Sequence, residues 1–498
     1  MELQFHKMSI PCMQRILRQT KDQEQTLEIR LNEDMPDIGK VLSCWGQVII
    51  RAKEWRDAQM QLSGGVTVVV MYLPEDDDKP QWVEGWIPFQ MKWEHGADTD
   101  GIMRVMPVLR TLDARSTGAR KLMVRAVMSV CAEALVAGNM DTYSAHDTPE
   151  DIQLLQREYP ITLQKEAGEK SFSIEEELTL PASCPMFEKM VRYEMRPELT
   201  DKKVMADKAV FRGLLLVHIV YMGQDGGLYS WDFDVPFSQY TELDDAYDQD
   251  ASVDFWMVAT GIELEPGQES SFNLKAGLAA QYVVFDRCMA GVVEDAYSPV
   301  RRLGLHKELL QQPVILDSSV QTLQLRQQMD ADVQRIVDVS VTPMHPNAIR
   351  DEEGMQYDLD AWVQMLYYDA DGQLRSAHKR WENNRTIACD GICQMDASLL
   401  QSGKSQALSG MDNSEVLCDL LMHTKTQTQQ GMAVVSGFTM TEKEEPDPAR
   451  PSIILRRADE QGLWTMAKSC ASTVEAIKKA NDLTDEAQIG QILIIPVS

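Results

Sequence analysis

Apolar residues in this chain gather in strand-length runs rather than in helical stripes. The longest, 66–73 and 213–222, are rich in β-branched side chains and bounded by turn residues, which predicts strands. Asp225-Gly226 and Asp371-Gly372 each follow such a run and precede another, a strong short-range hairpin signal. Both glycines are therefore expected at φ > 0, a region that glycine enters without strain. Near the N-terminus the corresponding place holds Asp76-Asp77-Asp78 with flanking prolines, which predicts a longer polar loop.

The pattern repeats. Met35-Pro36-Asp37-Ile38 returns in outline at Cys184-Pro185-Met186-Phe187 and, more weakly, at Asp330-Ala331-Asp332-Val333, with offsets of 149 and 146. Tyr72, Tyr221 and Tyr367, each closing an apolar run, keep the same two offsets. Ile87-Pro88-Phe89 corresponds to Val235-Pro236-Phe237 within one residue, and the third copy has lost the Pro-Phe pair. Fixed spacing of independent landmarks marks a repeat architecture. Further strand-like runs at 121–131, 272–285 and 415–423 complete each copy, so the expected fold is mainly β: three tandem β-sandwich-like repeats, at 1–145, 146–310 and a diverged 311–440. The segments 37–42, 187–191 and 333–337 are expected to form short helical turns that close one end of each copy.

Beyond 440 the pattern changes. Residues 441–451, charged and punctuated by prolines, read as an extended linker. The segment 452–498 then reads strand (452–456), helix (462–469), helix (473–481), strand (490–496), with Leu463, Met466 and Ala467 on one face of the first helix and Val474, Ile477 and Ala480 on one face of the second. A small βααβ domain is the expectation.

Charge narrows the partners. The 498 residues hold 77 acidic and 48 basic side chains, a formal net charge of −29. Such a surface repels phosphate backbones and anionic lipid, so nucleic acid is not an expected partner. A content of 44% hydrophobic and 25% charged residues is that of a globular chain. No apolar run approaches the roughly 20 residues of a membrane-spanning helix. The first residues show no basic segment followed by an apolar core, so a cytoplasmic location with reduced thiols is expected for the nine cysteines.

No residue set calls for catalysis, a metal or a cofactor, and the chain is expected not to be an enzyme. The eight histidines show no pair at ligand spacing, and His218, inside an apolar strand, reads as a satisfied core or edge residue. Cys389 and Cys393 are too far apart for a redox pair and lack the second cysteine pair of a zinc site. The 223–227 glycine cluster is followed by neither Lys-Ser/Thr nor a helix, so it reads as a hairpin and not a phosphate cradle. The acidic stretch 244–250 lacks the glycine and distal glutamate of a calcium loop. Trp464 reads as core.

The C-terminal segment resembles a LysM domain through Leu463-Trp464 with Ala467, Val474 with Ile477, Asn481, and Gly490-Gln491 before Leu493-x-Ile495-Pro496. In that family two loops hold N-acetylglucosamine. Here those loops carry Asp459, Glu460, Gln461, Gly462 and Leu463 on one side and Gln488 and Ile489 on the other, with Asn481 as a further family position. Glu460-Gln461-Gly462 stands where the family has Gly-Asp-Thr, and Gln488-Ile489 where it has an aromatic residue and proline. A bulky apolar Ile489 suits a protein partner better than a wet sugar groove. The three repeats, with Leu180-Pro181, the strand–Tyr–hairpin unit and Val235-Pro236-Phe237-Ser238-Gln239-Tyr240, resemble SPOCS domains of spore-coat morphogenesis proteins from clostridial-type bacteria. Tandem SPOCS domains followed by a LysM imply a scaffold of the mother-cell cytoplasm at the forespore surface, which binds the coat morphogenetic ATPase SpoIVA through its LysM. The alternative is a cell-wall-associated protein whose LysM holds peptidoglycan.

Overall fold

The computed structural model describes residues 2–56, 58–96, 100–144, 148–268, 270–350, 354–387, 393–409, 414–442 and 451–497. Cys389 and most of the linker, 443–450, lie outside them.

The first copy contains β1 (Glu2–Gln4), β2 (His6–Arg30), β3 (Ile38–Arg56), β4 (Gln59–Pro74), β5 (Gln81–Glu94), β6 (Gly101–Gly118) and β7 (Lys121–Ser144). The second contains β8 (Gln153–Thr179), β9 (Phe187–Gly223), β10 (Leu228–Tyr247), β11 (Ser252–Pro266) and β12 (Ser271–Tyr297). The third contains β13 (Leu303–Met329), β14 (Arg335–Pro343), β15 (Asn347–Arg350), β16 (Met355–Tyr368), β17 (Leu374–Ile387), β18 (Cys393–Ser409) and β19 (Ser414–Met440). In each copy one antiparallel sheet follows the order β2-β7-β6, β8-β12-β11 or β13-β19-β18. It faces a second sheet, β3-β4-β5 in the first copy and β14-β16-β17 in the third. In the second copy β9 bends at Ala206 (φ +53°) and folds back, so that Thr200 Oγ1 donates to the carbonyl of Arg212, and β10 pairs with its second arm.

Alternation builds the cores. In the first copy Val66, Val68 and Val70 of β4 and Ile87, Phe89 and Met91 of β5 pack on Leu122, Val124, Ala126 and Met128 of β7. Each Val, Leu, Ile, Phe or Met side chain so buried contributes on the order of 1.5–3 kcal/mol. The second and third copies repeat this with Phe211, Leu215, Phe237 and Phe272, and with Leu359, Val363, Leu420 and Met422.

The copies match position by position. A Cβ on Gly64 would lie 2.3 Å from the carbonyl of Ile49 and against Phe89; on Gly213, 149 residues later, it would lie 2.1 Å from the carbonyl of Glu198 and against Phe237. The hydroxyls of Tyr72 and Tyr221 donate to the carbonyls of Pro36 and Pro185, each at 3.1 Å. Gly226 and Gly372 have φ of +78° and +76°. Only the second residue of each Asp-Gly turns left-handed, so both hairpins are type I turns with a glycine bulge.

The helical turns expected at 37–42, 187–191 and 333–337 are not formed. Those segments open β3, β9 and, from Arg335, β14. Val41 pairs with Tyr72 and Ile336 with Tyr367. A turn too short to repay helix nucleation yields to strand pairing.

The three copies close into a ring. Leu42, Val191 and Val337 occupy the same repeat position, as do Met71, Val220 and Leu366, and all six share one buried cluster. The arrangement is pseudo-threefold. The second face of the central strands is covered by neighbouring copies, so 129–136 and 278–285 are buried without alternation. Gln47 clamps the backbone of Met195 between copies one and two, Arg192 pairs with Asp338 between two and three, and Gln364 donates to Ser43 between three and one. A second polar layer joins all three: Arg104 bonds Glu133 and Asp254, and Arg15 and Arg18 bridge Glu133 to Asp396. β1 seals the ring by pairing with β19, Leu3 opposite Phe438.

Candidate interaction site on the C-terminal unit

The C-terminal unit consists of β20 (Ile453–Arg457), α1 (Gly462–Ser469), α2 (Val474–Ala480) and β21 (Ile492–Pro496), with β20 and β21 antiparallel. This is the expected βααβ order. Leu463, Met466, Ala467, Ile477, Leu493 and Ile495 form its core. Thr473 caps α2, its Oγ1 accepting from the backbone N–H of Ala476 at 3.1 Å. α1 has no side-chain cap at its N-cap residue; the Glu486 carboxylate accepts from the Leu463 N–H at 3.2 Å and supplies the missing acceptor.

That bond joins the two loops singled out in the sequence. Asp459 organises the first: its Oδ1 accepts from the Gln461 N–H and its carbonyl from the Gly462 N–H. Glu460 and Gln461 are exposed, and Gly462 sits at φ +75°. The second loop is held by Gly490 N–H to the Ala458 carbonyl and Ala458 N–H to the Gln491 carbonyl, each 2.8 Å. Gln488 is exposed and Ile489 is 73% exposed. The structure thus brings Asp459, Glu460, Gln461, Gly462, Gln488 and Ile489 together. Leu463 and Asn481 stand apart from them in role. Leu463 is core, and the Asn481 amide is spent on the carbonyls of Ile477 and Ile494 and on the N–H of Ile494.

A larger feature lies on the sheet. Its helix-free face presents Ile453 (59% exposed) and Leu455 (68%) from β20 with Ile492 and Ile494 from β21. Ile489, in the loop before β21, is exposed as well, and clustered exposed apolar side chains mark contact sites in soluble proteins. The signal was present in the sequence: a sheet covered by helices on one face alone should alternate, and Ile453-Ile454-Leu455 and Ile492-Leu493-Ile494-Ile495 do not.

The opposite side of the unit docks on the second copy. Trp464 Nε1 donates to Asp295 at 2.9 Å, Lys468 pairs with the same carboxylate at 2.7 Å, and the Tyr297 hydroxyl donates to the Ser472 carbonyl at 3.0 Å. Tyr297 and Trp464 meet edge to face, 4.8 Å between centroids. Burial opposes ionisation of Asp295, yet the bonds from Lys468 and Trp464 outweigh it and hold its pKa below the usual carboxylate range. Trp464 is therefore an inter-unit contact, half-buried rather than core.

Between the second and third copies, buried charges pair with one another. His218 lies between Asp232 (Nδ1, 2.7 Å) and Asp338 (Nε2, 2.8 Å) at the wall of a cavity of about 190 Å³ between the second and third copies. Burial opposes its charge, but Asp338 and Asp232 prevail and raise its pKa to about 9. Arg192 and Arg196 in the same wall are bonded to Asp338 and to the carbonyls of Gln401 and Gly403. Among the described residues no group of acidic, histidine or cysteine side chains is placed to hold a metal ion, and no helix is long and apolar enough to cross a membrane.

Residues 187–264, which cover β9, β10 and most of β11, match the family model described as SipL, SPOCS domain. None of the curated proteins and none of the solved structures matches the chain. A SPOCS domain ties the chain to sporulation and the spore coat, and it occupies the copy on which the C-terminal unit docks. The chain is thus SipL-like, with a SPOCS domain over residues 187–264.

Proposed function

We propose that this protein is a non-enzymatic scaffold of spore coat assembly, working in the mother-cell cytoplasm at the forespore surface. Its LysM-like C-terminal unit binds the coat morphogenetic ATPase SpoIVA, and the three-copy ring serves as a rigid base. The observation that carries this reading is the apolar surface of Ile453, Leu455, Ile489, Ile492 and Ile494 on a unit otherwise anchored to that base. Exposed aliphatic side chains gain by desolvation against a protein and gain little against hydrated sugar. The bond from Leu463 to Glu486 also ties together the two loops between which a glycan would lie. The non-enzymatic reading is supported by the ion pairs Arg192–Asp338 and Arg104–Asp254, whose charges serve contacts between copies.

The test is a paired binding assay on the full chain. Purified SpoIVA is expected to be captured, and insoluble peptidoglycan to leave the chain in the supernatant. Ile489→Asp should weaken the capture without lowering the melting temperature. Sedimentation with peptidoglycan that chitin oligomers reverse would establish the cell-wall reading instead.

A further inference from the structure

Hydrogen-bond parity fixes which way the backbone of β20 points. Val497 N–H donates to the Ser452 carbonyl at 3.0 Å and Ala458 N–H to the Gln491 carbonyl at 2.8 Å, so the even-numbered residues 452 to 458 bond across to β21. In an antiparallel pair the residues between them direct N–H and C=O outward. Those residues are Ile453, Leu455 and Arg457. On the far side of the sheet the equivalent outward groups, of Ile494, are taken by the Asn481 side chain: Nδ2 donates to the carbonyl at 2.7 Å and Oδ1 accepts from the N–H at 2.8 Å. One edge is capped. The other has no partner among the described residues.

We propose that this open edge of β20, with the apolar sheet face beside it, is where the partner binds, taking an extended segment of the partner protein as an added strand. The proposal rests on the protein-binding reading above and gives it a geometry. An unpaired edge is a template for another strand, and proteins ordinarily blunt it with proline, inward charge or a bulge. Residues 453–455 are Ile-Ile-Leu and carry none of these, the charges of β20 being confined to Arg456 and Arg457 at its end. In strand addition the backbone supplies affinity and alternate side chains supply specificity. Here Ile453 and Leu455 line the face that every second residue of the incoming segment would meet, continued by Ile492 and Ile494.

Charge selects among occupants. Residues 452–497 hold five basic and six acidic side chains, so nearly all of the chain's −29 resides in the ring. Two rings repel each other, which opposes a second copy on this edge. Arg457, exposed at the end of the edge and in no ion pair among the described residues, complements an acidic residue. The fitting partner segment is extended, apolar at alternate positions and acidic at the end that meets Arg457.

The experiment uses the full chain and purified SpoIVA. Leu455→Pro deletes an outward N–H while leaving an apolar residue; Leu455→Val keeps both. Leu455→Pro should lower capture about tenfold and Leu455→Val by less than about twofold, the loss of a desolvated strand bond. In the wild-type complex, amide exchange at 453–457 should slow, a readout that holds even if the proline variant unfolds the unit. Wild-type capture with unchanged exchange at 453–457 overturns strand addition while the scaffold reading stands. Failure of the wild-type chain to capture SpoIVA removes the reading itself. A concentration-dependent dimer abolished by Leu455→Pro would give the edge to a second copy.

Discussion

Replacing His218 by Gln should flatten the protein's stability profile across neutral to alkaline pH. The imidazole is held between Asp232 and Asp338, and Asp338 also receives Arg192, with side-chain exposures of 1% for Asp338 and 3% for Arg192. With a folded pKa of about 9 against an ordinary value of 6.5, His218 binds its proton more tightly in the folded chain. Its contribution is therefore fully present below about pH 6.5 and is lost as pH rises through about 9. A rise of that size corresponds to about 3 kcal/mol, at 1.36 kcal/mol per pH unit. Gln is a natural choice, because Gln364 holds the equivalent position in the third copy. The assay is chemical denaturation of both proteins from pH 6 to pH 10, read as the difference between them. The advantage of the wild type should shrink by about 3 kcal/mol over that range. Parallel curves would refute the reasoning, since other groups, including Lys425 with a pKa lowered by burial to about 8, are common to both proteins.

Two further outcomes follow from the geometry. Gly226→Val and Gly372→Val force a β-branched residue into φ near +77° and should each destabilise by about 1 kcal/mol or more in thermal melts, although neither added Cβ meets any atom. Asp295→Ala leaves Lys468 and Trp464 without their shared acceptor and should weaken the dock by about 2 kcal/mol, seen as a red-shifted Trp464 emission and faster amide exchange near Tyr297.

The repeat was legible because equivalent residues do equivalent work. Tyr72 and Tyr221 make the same bond, and the 149 and 146 offsets reappear in the residues that meet at the ring centre. The βααβ unit was legible from its apolar periodicity. The ring was not, because its polar layers join side chains far apart in sequence: Arg15, Glu133, Asp254 and Asp396 show no local pattern. The strands are longer than their apolar runs because they continue past the sandwiches into paired arms, where Cys12, Met140, Ile161 and Ala290 pack between copies. At the candidate site the loops drew attention through their departures from the family pattern. The sheet face went unread because a run of isoleucines on a two-stranded sheet looks like core until the uncovered side is seen.

Where the chain goes in a sporulating cell, and which part takes it there, test the scaffold reading most directly. A fluorescent fusion of the full chain, compared with one ending at Thr441, measures both by microscopy after forespore engulfment. The scaffold reading requires a ring of signal around the forespore for the full chain and diffuse mother-cell signal for the shortened one. A forespore ring that persists without the C-terminal unit, or signal on the vegetative cell wall, would contradict it.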